Sequence, residues 1–172
     1  MTKTTLILGG TRSGKSSYAV ELATKTTKSV AFIATCSFID EEMKKRIKNH
    51  QQERPEHWDT FEEFEDIASL LEKIGNQYQV IIIDCITLFI SGLLLKKIEQ
   101  SSIETKIEKM LQVISAINAQ VIIVSNEVGL GLVPDNPLGR TFRDLAGQIN
   151  KLIAKKANKV FFMVGGIPMK VK

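Results

Sequence analysis

Gly9-Gly10-Thr11-Arg12-Ser13-Gly14-Lys15-Ser16 decides the fold of this chain. The octapeptide satisfies G-x-x-x-x-G-K-[ST] without a mismatch. Upstream, Thr4-Thr5-Leu6-Ile7-Leu8 is a short apolar run that reads as a buried strand. Downstream, Ser17 to Ala23 reads as a helix, with Ala19, Val20, Leu22 and Ala23 able to face a sheet. The glycines let the backbone curl, so that N–H groups from Gly9 to Ser16 point at phosphate oxygens, and the helix N-terminus adds partial positive charge. Lys15 is placed for the β- and γ-phosphates and the Ser16 hydroxyl for Mg²⁺. The loop specifies a nucleotide but not a reaction.

Working outward, the rest of the chain supplies the sheet such a loop requires. Ser29-Val30-Ala31-Phe32-Ile33-Ala34 is a second strand, ending at Thr35-Cys36-Ser37. Asp40 can cap a helix through Glu41 to His50, which Pro55 must end. A further helix is expected from about Glu63 to Ile74, stopped by Gly75, with Phe64, Ile67, Ala68, Leu71 and Ile74 on one face. Gln79-Val80-Ile81-Ile82-Ile83-Asp84 is the pattern of a fully buried parallel strand delivering a carboxylate to its end, a second Mg²⁺ ligand. Apolar Thr87–Lys97 and amphipathic Ile103–Ile117 read as helical, and Gln120–Val124 as a fourth buried strand closing at Ser125-Asn126-Glu127.

A loop bearing Gly129, Gly131, Pro134, Pro137 and Gly139 is too long for a turn and reads as functional. Helix Arg140–Asn158, strand Val160–Val164, a Gly165-Gly166 turn and a short strand Pro168–Val171 finish the chain. Alternating strands and helices predict an α/β fold with a mostly parallel sheet. Ligands in such sheets bind beyond the carboxyl ends of the strands. Four polar ends therefore converge: the glycine-rich loop, Thr35-Cys36, Asp84 and Asn126-Glu127.

Composition narrows the class. With 172 residues, 44% hydrophobic and 24% charged, the chain is expected to be one soluble domain. No apolar run approaches the roughly 20 residues of a membrane span. The chain enters its first strand at once, without space for a signal peptide, so a cytoplasmic protein is expected. A net charge of +4 suits anionic small molecules as well as nucleic acid. The two cysteines, Cys36 and Cys85, form neither a metal motif nor a disulfide framework and read as buried reduced thiols.

A second constellation lies at Arg46-Ile47-Lys48-Asn49-His50-Gln51-Gln52-Glu53-Arg54-Pro55-Glu56-His57-Trp58. If the helix continues to Arg54, then Arg46, His50 and Arg54 share one face. Two readings stand. The stretch is a basic solvated face with an incidental histidine. Alternatively, the arginines hold phosphates and keep the ring neutral, hence nucleophilic.

The chain resembles the bifunctional adenosylcobinamide kinase / adenosylcobinamide-phosphate guanylyltransferase family of cobalamin biosynthesis. The resemblance runs through residues 9–16, Ile33-Ala34-Thr35, Asp40 to Met43, Arg46-Ile47, His50, Arg54-Pro55, His57-Trp58 and Glu62. It continues in Asp84-Cys85-Ile86-Thr87, Asn126-Glu127-Val128-Gly129, Gly131, Val133-Pro134, Arg140, Phe142-Arg143-Asp144, Gly147 and Asn150. It implies a RecA-like P-loop NTPase domain assembled as a homo-oligomer, with a trimer favoured. It also implies two reactions. ATP or GTP phosphorylates adenosylcobinamide; GMP then passes from GTP to the new phosphate through a guanylylated histidine.

By position that histidine is His50, while His57 reads as structural, packed beside Trp58. Ala34, Thr35, Cys36, Gln51, Gln52, Glu53, Arg54, Glu62 and Asp84 are implied to contact nucleotide. Asp84 stands where some relatives carry Glu; either carboxylate can serve Mg²⁺. Three rivals use less of the pattern. A plain P-loop kinase has no need of His50, a nucleic-acid motor wants an aromatic basic groove, and a nucleotide switch needs no transfer chemistry.

Overall fold

Consecutive β-branched residues stay out of water only when both faces of their strand are covered. In the computed structural model, which describes residues 4–27, 29–36 and 54–172, that condition is met by a central sheet with helices on both sides. The strands are β1 (Thr4–Gly9), β2 (Val30–Ala34), β3 (Asp59–Glu62), β4 (Val80–Asp84), β5 (Gln120–Asn126), β6 (Lys159–Val164) and β7 (Ile167–Lys170). They lie in the order β3-β2-β4-β5-β1-β6-β7. Every pairing is parallel except β6 with β7. The helices among the described residues are α1 (Lys15–Thr26), α2 (Ile67–Ile74), α3 (Ile86–Leu95), α4 (Gln100–Ala116) and α5 (Pro137–Lys156).

Strand parity sorts the side chains into two cores. Ile81 and Ile83 of β4 face one core with α2 to α5. Val80 and Ile82 enter the other, where Ala19 and Ala23 of α1 pack with Trp58. Burying these runs is the main stabilising term, at roughly 25 cal/mol per Å² of apolar surface. The expected α/β fold with a mostly parallel sheet is the one observed.

Several boundaries differ from expectation, each for a local reason. Glu63–Asp66 is not helical: the Glu63 carboxylate accepts from the amides of Glu65 and Asp66, at 2.8 Å each. Asp66 then caps α2, accepting from Ser69 N at 3.2 Å. Gly75 ends α2 by packing, since an added Cβ would lie 2.5 Å from Ile117. Helix α5 starts at Pro137 rather than Arg140, because Asn136 accepts from Gly139 N at 2.7 Å and proline fits the first turn. The final strand runs Ile167–Lys170 and is antiparallel, folded back by Gly165 and Gly166, both at positive φ. Strand β3 was not expected; it pairs with β2 from Ala31–Asp59 to Ala34–Glu62.

Three readings around the basic segment change. Arg54 sits in a bend, so no helix carries it. His57 is exposed beside the buried Trp58 rather than packed. Cys36 is partly exposed, and only Cys85 is buried. The expected helix before Pro55 lies outside the described residues, as do Arg46, His50, Gln51, Gln52 and Glu53.

Candidate active site

The glycine-rich loop joins β1 to α1 along the carboxyl edge of the sheet. Gly14 caps α1 at φ 87°, a left-handed conformation that glycine adopts without steric cost. Gly9 is required by close approach: a Cβ there would lie 2.7 Å from Ser13 Oγ and 2.9 Å from the Met163 carbonyl. Neighbouring elements hold the loop by its carbonyls. Gly9 O accepts from Glu127 N at 3.0 Å, Ser13 O from Gly166 N at 3.2 Å, and Gly14 O from Tyr18 N at 2.9 Å. Such a loop can turn its N–H groups inward. Gly10, Thr11 and Arg12 form its exposed crest, and Ser16 lies in the first turn of α1.

Lys15 is only 7% exposed, and its Nζ donates to the Gly10 carbonyl at 2.5 Å. Burial holds its ammonium below the ordinary lysine value, opposed by Cys85 and Asp84. Of these two opponents Asp84 matters at neutral pH. Burial, then the adjacent Asp84, pushes the Cys85 thiol up to about 12, so Cys85 is neutral and no nucleophile. Ser13 Oγ is buried with no hydrogen-bond partner among the described residues. A polar atom buried that way at a helix N-terminus fits a phosphate oxygen.

Asp84 closes β4, one strand from β5 and two from β1. Its row runs through Ala34 of β2 to Glu62 at the exposed end of β3. The Ala34 carbonyl accepts from Glu63 N at 3.0 Å. Thr35 is fully buried, its hydroxyl donating to the Cys85 carbonyl at 2.7 Å, so this side chain braces β2 against the Asp84–Cys85 turn. Cys36 follows at the partly exposed end. The Arg54 guanidinium carbon stacks 3.4 Å from the centre of the Phe32 ring. The structure therefore brings together the loop residues Gly9 to Ser16 with Asp84, Ala34, Thr35, Cys36 and Glu62 along one edge. Arg54 enters from beside β2.

Mg²⁺ prefers oxygen ligands, keeps several waters and needs only one or two protein groups beside substrate phosphates. Ser16 and Asp84 offer a hydroxyl and a carboxylate, and the adjacent Cys85 is held as a neutral thiol. Among the described residues no cluster of three or more His, Cys, Asp or Glu could hold a metal by itself. Donor chemistry thus fits a cation shared with a nucleotide.

Behind this edge lies a polar unit that the sequence did not reveal. Thr87, Ser125 and Asn150 are all buried, and all are hydrogen-bonded around the end of β5. Their contacts join α3, β5 and α5, so no local motif announces them. A groove of about 580 Å³ lined by Thr4, Leu111, Ile114, Leu152 and Lys156 lies at the opposite, amino edge and is remote from this chemistry. Among the described residues no helix is long and apolar enough to cross a membrane.

Comparison with known proteins agrees over the whole chain. Residues 5–171 match the family model described as cobinamide kinase / cobinamide phosphate guanyltransferase. The chain is 36% identical over 179 residues to the bifunctional adenosylcobalamin biosynthesis protein CobU of Escherichia coli (strain K12), covering 97% of this chain and 98% of that one. It is 40% identical over 167 residues to the bifunctional adenosylcobalamin biosynthesis protein CobP of Pseudomonas aeruginosa, covering 97% and 96%. Among solved structures it is similar to the RadB recombinase, with TM-score 0.55, 15% identity and coverage of 92% of this chain and 73% of that one. A KaiC-like protein of Pyrococcus horikoshii OT3 superposes with TM-score 0.51 at 14% identity, covering 93% and 70%. At such identities these two speak for the P-loop fold alone.

Proposed function

The chain belongs to the cobinamide kinase / cobinamide phosphate guanyltransferase family, and on that footing we propose that it carries out both reactions in one catalytic domain. In the first, adenosylcobinamide takes the γ-phosphoryl group of ATP or GTP on its aminopropanol hydroxyl. In the second, GMP moves from GTP to that phosphate, giving adenosylcobinamide-GDP. The observation carrying the first step is the buried Lys15 ammonium facing the loop, with Asp84 at the same edge of the sheet two strands away.

Phosphoryl transfer passes through a loose transition state, so positioning and charge stabilisation supply most of the catalysis. Loop amides, with Ser13 Oγ, hold the β- and γ-phosphates. Lys15 exchanges its Gly10 carbonyl for phosphate oxygens and neutralises charge on the transferring group. Ser16 and Asp84 would hold Mg²⁺, whose chemistry when bound is to offset phosphate charge. Ala34, Cys36, Glu62 and Arg54 form the nucleotide's flank, with the buried Thr35 bracing it from beneath; Arg54 offers a charged face already oriented by Phe32.

The guanylyl step belongs to His50, with Gln51, Gln52 and Glu53 beside it in sequence. A neutral imidazole nitrogen attacks the α-phosphorus of GTP, pyrophosphate leaves, and the cobinamide phosphate then displaces histidine. The protein works in the cytoplasm as a homo-oligomer, with no nucleic-acid partner. Incubation with Mg²⁺, ATP, GTP and adenosylcobinamide tests the reading. Successive appearance of the phosphate and GDP products is expected; accumulation of the phosphate alone would leave a plain kinase.

A further inference from the structure

Asn126 is the last residue of β5, the strand lying between Asp84 on β4 and the phosphate loop on β1. It stands in register with Gly9, and the next amide, Glu127 N, donates to the Gly9 carbonyl at 3.0 Å. Sheet order alone thus sets this residue between the metal-binding acid and the loop. Its side chain is half-buried and held from behind. Nδ2 donates to Thr87 Oγ1 at 2.9 Å and lies 4.0 Å from Cys85 Sγ, while Asn126 N approaches the same Thr87 oxygen at 3.4 Å.

The backbone is held on its other side. Asn150 Nδ2 donates to the Asn126 carbonyl at 3.0 Å, and Ser125 Oγ donates to Asn150 Oδ1 at 2.6 Å. Thr87, Ser125 and Asn150 are buried polar groups, and each such group is tolerated only when hydrogen-bonded. An apolar strand end would pack without them. What the network achieves is one fixed orientation for one carboxamide. With Nδ2 turned to Thr87, Oδ1 is left as the carboxamide's acceptor.

We infer that Asn126 Oδ1 accepts the hydrogen bond of the acceptor alcohol during phosphoryl transfer, and that Thr87 is the residue positioning it. The inference rests on the kinase reading above and adds residues to that site. A carboxamide suffices because a loose transition state asks for an aligned nucleophile more than for a strong base. In the step, the alcohol oxygen forms the new bond to the γ-phosphorus. The bond from that phosphorus to the β,γ-bridging oxygen breaks with its electron pair on the nucleoside diphosphate. The alcohol proton, held toward Oδ1 during the approach, passes to an oxygen of the transferred phosphoryl group once the new bond has formed, and from there to solvent.

The test compares wild type, Asn126→Ala, Thr87→Val and Thr87→Ser in phosphorylation of adenosylcobinamide by Mg²⁺-ATP, with melting curves for each. Asn126→Ala should lower kcat on the order of 10²-fold, the scale of a misaligned reactant. KM for ATP and the Mg²⁺ concentration for half-activation should stay near wild type. Thr87→Val should lower kcat roughly tenfold, one hydrogen bond's worth, and Thr87→Ser should restore it. Wild-type kcat in Asn126→Ala overturns the inference. So does a parallel rise in the Mg²⁺ requirement, which would put Asn126 on the metal, or a Thr87→Ser as poor as Thr87→Val. An inactive wild type overturns the kinase reading and this inference with it; an active wild type matched by Asn126→Ala overturns the inference alone.

Discussion

Lys15 Nζ donates to the Gly10 carbonyl at 2.5 Å, so the phosphate loop is bridged by its own lysine. The ammonium is buried and already directed into the loop. Lys15→Ala should therefore cost on the order of 10²-fold or more in cobinamide phosphorylation. Product formation at saturating ATP checks this, and a wild-type rate would remove the P-loop from the mechanism.

The same burial makes a pH prediction. In the free protein the Lys15 ammonium titrates below the ordinary lysine value, because burial disfavours its charge. Bound phosphate favours that charge and raises the value. Between the two values the complex holds a proton that the free protein has lost. ATP affinity should thus be full below the free protein's lowered value and fall as pH rises through it. Isothermal titration from neutral into alkaline pH should show proton uptake on binding in that window; Lys15→Arg should show none from this position.

Asp84 closes a strand whose other residues are buried. Asp84→Asn keeps the shape and removes the charge. It should raise the Mg²⁺ concentration needed for half-activation and lower turnover, while the melting curve stays in place. Unchanged Mg²⁺ dependence would make the carboxylate structural.

Gly9 has no room for a methyl group, with Ser13 Oγ at 2.7 Å and the Met163 carbonyl at 2.9 Å from an added Cβ. Gly9→Ala should destabilise the protein by about 1–3 kcal/mol and weaken ATP binding with it. Denaturant unfolding and a binding isotherm on the same variant check the coupling.

Asn136 supplies the cap of α5, accepting from Gly139 N. Asn136→Ala should cost about 1 kcal/mol, a fall in Tm of roughly 2–4 °C for a chain of this size. Calorimetry measures it directly.

Where physics is local, the fold was legible. β1, β4 and β5 announce themselves as continuous apolar runs, and the loop as glycines at fixed spacing. β3 did not, because Asp-Thr-Phe-Glu has no apolar period; pairing with β2 makes it a strand. The start of α2 was misread because Glu63 and Asp66 bind nearby amides instead of continuing a helix. Of the site, Lys15, Ser16 and Asp84 follow from motif and strand end. That Ala34 stands between Glu62 and Asp84 depends on sheet register, and the grip of Thr87 and Asn150 on Asn126 joins α3, β5 and α5. No single segment encodes either.

On the proposed function, this P-loop protein also carries GMP on His50. A phosphoramidate from imidazole nitrogen to phosphorus leaves readily once protonated, so the adduct should be acid-labile and comparatively stable to alkali. Forming it requires a neutral ring and releases pyrophosphate. Incubation with Mg²⁺ and GTP labelled at the α-phosphate, followed by denaturation, measures it most directly. Label should remain on the wild-type chain and on His57→Ala, be absent from His50→Ala, and return to GTP when pyrophosphate is added. Labelling of His50→Ala at the wild-type level, or label that survives acid, would contradict the account.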